Sequence, residues 1–293
     1  MANKHWLVLT WVCVIVWATA GCSRHERGTA KVQKTRLDEV RFGAINLEVH
    51  WSYDLKLNGG ERIEQVWLTP KSIYCLSSEN TLHRLDREKV TSWKRQPAAP
   101  PRVIHRPAEA AGKTLVVAHD VAMVYETQTG ELLKEARLGF GVNSDPAFDG
   151  EVLYVADSID RVVAVELESG LEIWTCRAEK PISARPVLLG RTLVSVSESG
   201  EVLAYDTTSY GSLWYDHFRT KGAILTRPVL TSEGRCYVVG GDRTLYCLRT
   251  SSGGEVWRYF AGTSLATAPA VADGRVFLNV PGKGLVVLDA RNG

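Results

Sequence analysis

The chain has 293 residues, 45% of them hydrophobic, with nine Trp and ten Tyr, which is ample material for a buried core and excludes a disordered chain. Its 35 basic residues nearly balance 33 acidic ones, for a net charge of +2, so no strong field draws it onto nucleic acid or an anionic surface.

The first 22 residues stand apart from the rest. Lys4 and His5 precede an apolar run from Trp6 to Ala20, and the small residues Ala20 and Gly21 lead into Cys22. This is the layout of a secretory signal with a processing site. The run is shorter than the ~20 apolar residues that a membrane-crossing helix needs. Thr19-Ala20-Gly21-Cys22 resembles the bacterial lipobox, with Thr19 where leucine is usual. That resemblance implies a signal peptide over residues 1–21 and a lipid on Cys22. With Ser23 rather than Asp after it, it also implies sorting to the outer membrane of a two-membrane cell. Plain secretory cleavage with a free Cys22, and an uncleaved anchor, are the alternatives. Residues 22–46 carry six basic residues against three acids with little apolar periodicity, which predicts a tether.

From there a repeat governs the chain. Pro107, Pro146, Pro186, Pro228 and Pro269 each open a unit with a Gly a few residues on, and they lie 39, 40, 42 and 41 residues apart. After each Gly comes a short apolar stretch such as Glu151–Val155 or Arg275–Asn279, and then a polar turn. A second apolar stretch follows: Val162–Glu166, Val202–Asp206, Leu245–Arg249 or Leu285–Asp289. These pairs predict hairpins. A third turn leads to a strand closing on Trp174, Trp214 or Trp257. Trp51 and Trp93 continue that series backwards, and the missing anchor falls on Leu133-Lys134. The segment 94–107, with four prolines, predicts a stiffened connection between units.

Each unit thus supplies about four short strands and a large aromatic. A lone four-stranded sheet leaves both faces wet, so the units must stack face to face, with Trp filling the wedge between neighbours. The fold class expected is all-β: a β-propeller of four-stranded blades over residues 47–293. Two counts fit. Leu47–Leu55, which contains Trp51, could close a six-bladed ring by pairing with Leu285–Asp289, or the chain could be part of a larger ring, for which the family that its repeats resemble implies eight blades.

Pro269-Ala-Val-Ala-Asp-Gly-Arg-Val-Phe-Leu278, Gly284-Leu-Val-Val-Leu-Asp289 and Gly253-Gly-Glu-Val-Trp257 resemble PQQ-like propeller repeats. Together with the lipobox they resemble the BamB family of outer-membrane assembly lipoproteins. The resemblance implies a non-enzymatic scaffold, lipid-anchored on the periplasmic face of the outer membrane, working with other envelope proteins in outer-membrane protein assembly. It implies no cofactor and no nucleic acid. The competing class is a PQQ-dependent quinoprotein dehydrogenase or a degenerate relative. By family resemblance such an enzyme needs adjacent cysteines, a planar Trp floor and calcium ligands converging from several blades. The sequence has no Cys-Cys pair and no Cys-x-x-Cys, and His50, His83, His105, His119 and His217 show no regular spacing.

With Cys13 in the signal and Cys22 lipidated, Cys75, Cys176, Cys236 and Cys247 remain. Cys236 and Cys247 fall on consecutive strands joined by a tight turn. They form either a disulfide, as an oxidising compartment allows, or two small buried hydrophobes.

The residues just before the opening prolines occupy one level in successive blades: Arg106, Asp145, Arg185, Arg227 and Ala268. In a propeller they should ring the mouth of the central channel, where three arginines and one aspartate leave a positive rim. Such a rim suits an acidic loop or carboxylate of a partner. The plainer expectation is a salt bridge between adjacent blades.

Overall fold

A computed structural model of the chain describes residues 53–88 and 92–293. The expected signal peptide, Cys22 and the tether lie outside the described residues. Contacts divide the chain into two units, Met1–Ser52 and Tyr53–Gly293, and every blade belongs to the second.

Among the described residues there is no helix; 23 strands form six antiparallel sheets, each a meander in chain order. Blade 1 comprises Ile63–Leu68, Ser72–Ser77, Leu82–Asp86 and Ser92–Arg95, and blade 2 Ala108–Ala110, Lys113–Ala118, Val121–Glu126 and Leu132–Arg137. Blade 3 is built of Ala147–Phe148, Val152–Ala156, Arg161–Glu166 and Leu171–Arg177. Blade 4 has Val187–Leu189, Thr192–Val196, Glu201–Asp206 and Phe218–Arg219; blade 5 has Val229–Thr231, Arg235–Gly240, Thr244–Arg249 and Glu255–Phe260. Blade 6 has three strands, Ala270–Ala272, Arg275–Val280 and Gly284–Asp289. The first strands of blades 2 to 6 neighbour one another in turn and form the innermost layer.

The repeated glycine is explained by the first turn of each blade. In blade 6 the pair Ala272 and Arg275 is bridged by Asp273 and Gly274 at φ +50° and +69°, and Ala111 and Gly112 do the same in blade 2 at +49° and +74°. Two successive positive φ values make the primed hairpin turn whose twist matches that of the strands, and Gly adopts it without the Cβ penalty. The middle strands of blades 3 and 4 are buried on both faces, as in Val162–Val165 and Val202–Tyr205, because each of these blades lies between two others. Val-rich runs suit that place better than strict alternation. Five hydrophobic clusters result, one at each junction between consecutive blades.

Three of the expected tryptophans pin one blade to the next. Trp93, Trp214 and Trp257 donate their indole N–H to the carbonyls of Thr127, Thr250 and Ala290, at 2.9, 2.8 and 3.1 Å. Each ring lies against a glycine of the following blade's last turn: Gly130, Gly253 and Gly293. At Gly253, φ is +73° and an added Cβ would fall 2.6 Å from the Trp214 ring. Trp174 differs. Its partner position is Tyr210, a left-handed residue at φ +54°, and the two rings stack with centroids 5.8 Å apart. Trp214 itself lies outside a strand: blade 4 makes an isolated bridge at Ser212 and resumes pairing only at Phe218.

Of Leu47–Leu55, residues 47–52 lie outside the described residues and 53–55 form no strand, while Gly284–Asp289 pairs, among the described residues, only with Arg275–Val280. Its pairing edge is open there, and Leu285 is 67% exposed. The Cys236–Cys247 disulfide does not form. The register sets Cys236 opposite Leu248 and Tyr237 opposite Cys247, so the two thiols point to opposite faces of the sheet. Both cysteines are buried and free, in separate clusters on either side of blade 5, and burial pushes both thiols up.

Candidate functional site at the channel mouth

The four residues singled out from the sequence converge. Arg106, Asp145, Arg185 and Arg227 each precede the proline that leads into an innermost strand, so the 39-to-42-residue period becomes one ring of side chains. Ala268 holds the same place in blade 6 and adds no charge. The arginines sense one another across the mouth. Burial first, and then the neighbouring Arg106 charge, push the Arg185 guanidinium down to about 10, with Asp145 opposing and Arg227 adding to the fall. Arg227, from blade 5, is likewise lowered by burial and by Arg106 of blade 2.

The expected salt bridge between adjacent blades is absent. No guanidinium of the ring lies within 4 Å of a carboxylate among the described residues. Asp145 is engaged elsewhere. Its Oδ1 accepts the backbone N–H of Arg106 at 3.0 Å and lies 3.8 Å from Nδ1 of His105. Burial alone would raise the Asp145 carboxyl, but His105, the Arg106 amide and the Arg185 charge together hold it below the usual range, so it stays ionised. The aspartate thus caps a backbone amide of the neighbouring blade instead of gripping a guanidinium.

The arginines are left short of acceptors. Arg106 donates one terminal N–H to the Leu68 carbonyl at 2.5 Å, while its Nε is buried without a partner. Arg185 Nε is also buried and unpartnered. The side chains of Arg185 and Arg227 make no hydrogen bond or ion pair among the described residues. An unpaired buried donor is costly, and the two residues that carry these donors line one opening: a cleft of about 310 Å³ between blades 1 and 2, with Arg106 and Arg185 in its wall.

Sequence reasoning missed Glu109, which lines the same cleft. Its Oε1 accepts the hydroxyls of Ser72 and Tyr74 at 2.5 and 2.6 Å, and its Oε2 that of Thr69 at 2.7 Å. The carboxylate is therefore consumed in tying blade 2 to blade 1. The available signal was a lone acid in an innermost strand, where other blades carry Ala147-Phe148 or Val187-Leu188. Nor does spacing single out His105, since only the fold brings it to Asp145. Among the described residues no group of three His, Cys, Asp or Glu side chains is arranged to hold a metal ion.

The family profile described as "Outer membrane protein assembly factor BamB" matches residues 118–231 and 198–293. Curated relatives carry the same description. The chain is similar to the one from Nitrosomonas eutropha, with 31% identity over 153 residues, covering 50% of this chain and 36% of the relative. It is also similar to that from Bordetella pertussis, with 28% identity over 160 residues, 53% of this chain and 40% of the relative. The matched stretches thus span about two fifths of those relatives' length. Among solved structures, BamB from Moraxella catarrhalis superposes with a TM-score of 0.59 at 13% identity, over 76% of this chain and 71% of that one. The computationally designed Ika8 protein reaches 0.65 at 12% identity, over 78% and 70%. At those identities the structural likeness speaks for the propeller fold alone. With its repeats matched by the profile over more than half of its length, the chain belongs to the family of the outer membrane protein assembly factor BamB.

Proposed function

We propose that this protein is a non-enzymatic scaffold of the bacterial envelope, anchored by a lipid on Cys22 to the periplasmic face of the outer membrane and serving outer-membrane protein assembly. In this reading residues 1–21 are a signal peptide, 22–46 a tether, and 47–293 the interacting propeller. Arg106, Arg185 and Arg227, with Asp145 fixing the Arg106 backbone, form its contact with a partner. The observation that carries this is the family membership joined to a channel mouth whose guanidiniums are short of acceptors among the described residues. Anchoring raises the scaffold's effective concentration at the membrane, which suits weak, multivalent contacts.

The test is co-purification of the wild type, after gentle detergent extraction, with other envelope proteins of a membrane assembly complex. Cys22→Ala should abolish membrane association or leave the signal uncut, and mass spectrometry finding an unmodified Cys22 in the wild type would remove the anchor from the account. A ligand stabilises only by binding the folded state, so PQQ with calcium should leave the melting temperature unchanged. A calcium-dependent rise would return the quinoprotein class.

A further inference from the structure

Resting on the scaffold reading, we infer that the cleft between blades 1 and 2 is a recessed binding site for an acidic stretch of polypeptide, a side-chain carboxylate of which seats between Arg106 and Arg185. The two guanidiniums enter one opening from blades 2 and 4, each with a buried Nε that has no acceptor. A carboxylate accepts two parallel N–H bonds from a guanidinium fork, which neutral or cationic ligands cannot do. The carboxylates that could have filled this role are already committed. Glu109 is held by three hydroxyls and Asp145 by a backbone amide and His105. Three arginines against one ionised aspartate leave two positive charges in excess at the mouth. Arg185 is depressed by Arg106 and Arg227, so an incoming anion relieves a repulsion already present in the folded protein.

The rest of the cleft selects polypeptide over a small inorganic anion. Beyond the guanidiniums its wall includes Pro70, Pro107, Ala108, Ala110 and Ala111, small apolar surfaces suited to a backbone and an aliphatic stem, beside the polar Lys71 and Gln128. Its volume of about 310 Å³ is far larger than a phosphate ion needs. Phosphate would meet the charges and leave those walls uncovered.

The experiment uses the full mature chain and a fluorescein-labelled peptide of alternating Glu and Gly, followed by anisotropy at low and at physiological salt. The same peptide with Gln for Glu, and inorganic phosphate as competitor, complete the set. Expected are binding of the Glu peptide only, weakening with salt as exposed charge contacts do, and a loss of about tenfold or more in Arg185→Gln. Arg185→Lys keeps the charge but not the fork and should lose part of that affinity, while Arg291→Gln, at a residue that does not line the cleft, should lose none. Melting temperatures establish that each variant is folded, and Arg185→Gln should melt no lower than the wild type. No binding of the Glu peptide, equal binding by folded Arg185→Gln, or displacement by phosphate at concentrations where the peptide itself competes would each overturn the inference. Peptide binding that persists while co-purification fails would strike the assembly role and leave this site standing. Co-purification without peptide binding would do the reverse.

Discussion

The junction between blades 4 and 5 and that between blades 2 and 3 are built from the same repeat and closed by different means. At the first, Trp214 is 2% exposed, donates to Thr250 and presses its ring on Gly253. At the second, the aligned position is Lys134, whose Nζ lies 3.7 Å from Glu168, and a Cβ added at the matching Gly170 would meet nothing nearer than the Ala136 methyl at 4.0 Å. Both junctions nevertheless hold a continuous apolar cluster, Leu115, Val124, Leu153 and Val163 among its members at the second. At the other end of the blade 3 strands, where Arg161 pairs with Arg177 rather than beside Gly170, a polar contact adds to the junction. Asp157 fixes Arg161 at 2.6 Å, and the guanidinium lies over the Phe140 ring, 5.9 Å from its centre. The difference teaches that the buried middle strands hold the blades together, and that the tryptophan adds a pin which one junction does without.

The comparison breaks most sharply at Trp214. Trp214→Ala removes a buried ring and its hydrogen bond, and should cost about 3–5 kcal/mol in urea unfolding. A loss below about 1 kcal/mol would show the pin to be ornamental at this junction too. Next, Gly253→Ala should cost about 2–4 kcal/mol, because it adds a methyl inside the indole's contact distance at a left-handed φ. Gly170→Ala meets open space and should cost only about 1 kcal/mol, from the backbone. Equal losses at the two glycines would mean that backbone strain, not the ring, sets the requirement.

Acid should separate the junctions as well. Burial raises the Asp157 carboxyl, but the Arg161 amide and guanidinium and the Ile159 amide outweigh it, so its folded value lies below the ordinary 3.8. A carboxylate depressed by folding contributes stability above its unfolded value and loses it as pH falls through the folded one. Below about pH 4, amide exchange should therefore quicken around blade 3 before it does in blade 5, and Asp157→Asn, worth about 1–2 kcal/mol at neutral pH, should flatten that difference. The smallest effect is expected at Lys134→Met, within about 0.5 kcal/mol, since Glu168 is 91% exposed and such a surface pair is weak.

Much of this was legible in the sequence because a repeat averages out local ambiguity. One proline-to-glycine interval is weak, but five in register fix blade boundaries and turns, and the decayed anchor at Lys134 could be located by counting alone. The same counting put Arg106, Asp145, Arg185 and Arg227 at one level. It could not say what each side chain touches. A salt bridge was the natural expectation for Asp145, and the backbone amide of Arg106 took its place because that donor, on the adjacent innermost strand, comes within 3.0 Å. Counting also offered the Cys236–Cys247 pair, and a one-residue offset in register placed the thiols on opposite faces.

What the sequence by itself determined is the all-β blade, its period and its turns, since these rest on φ preferences and on apolar runs within some forty residues. Burial was decided by the tertiary structure. Glu201–Asp206 and Gly284–Asp289 hold the same place in the repeat and share one pattern, an apolar run closing on Asp, EVLAYD and GLVVLD. The first is buried on both faces, whereas the second alternates between exposed and half-buried. The arginines follow the same logic: their spacing is a property of the chain, but their shortage of acceptors and mutual repulsion exist only once blades 2, 4 and 5 stand around one axis. Burial and Coulomb energy depend on neighbours in space, and no window of sequence contains the blade that packs against it.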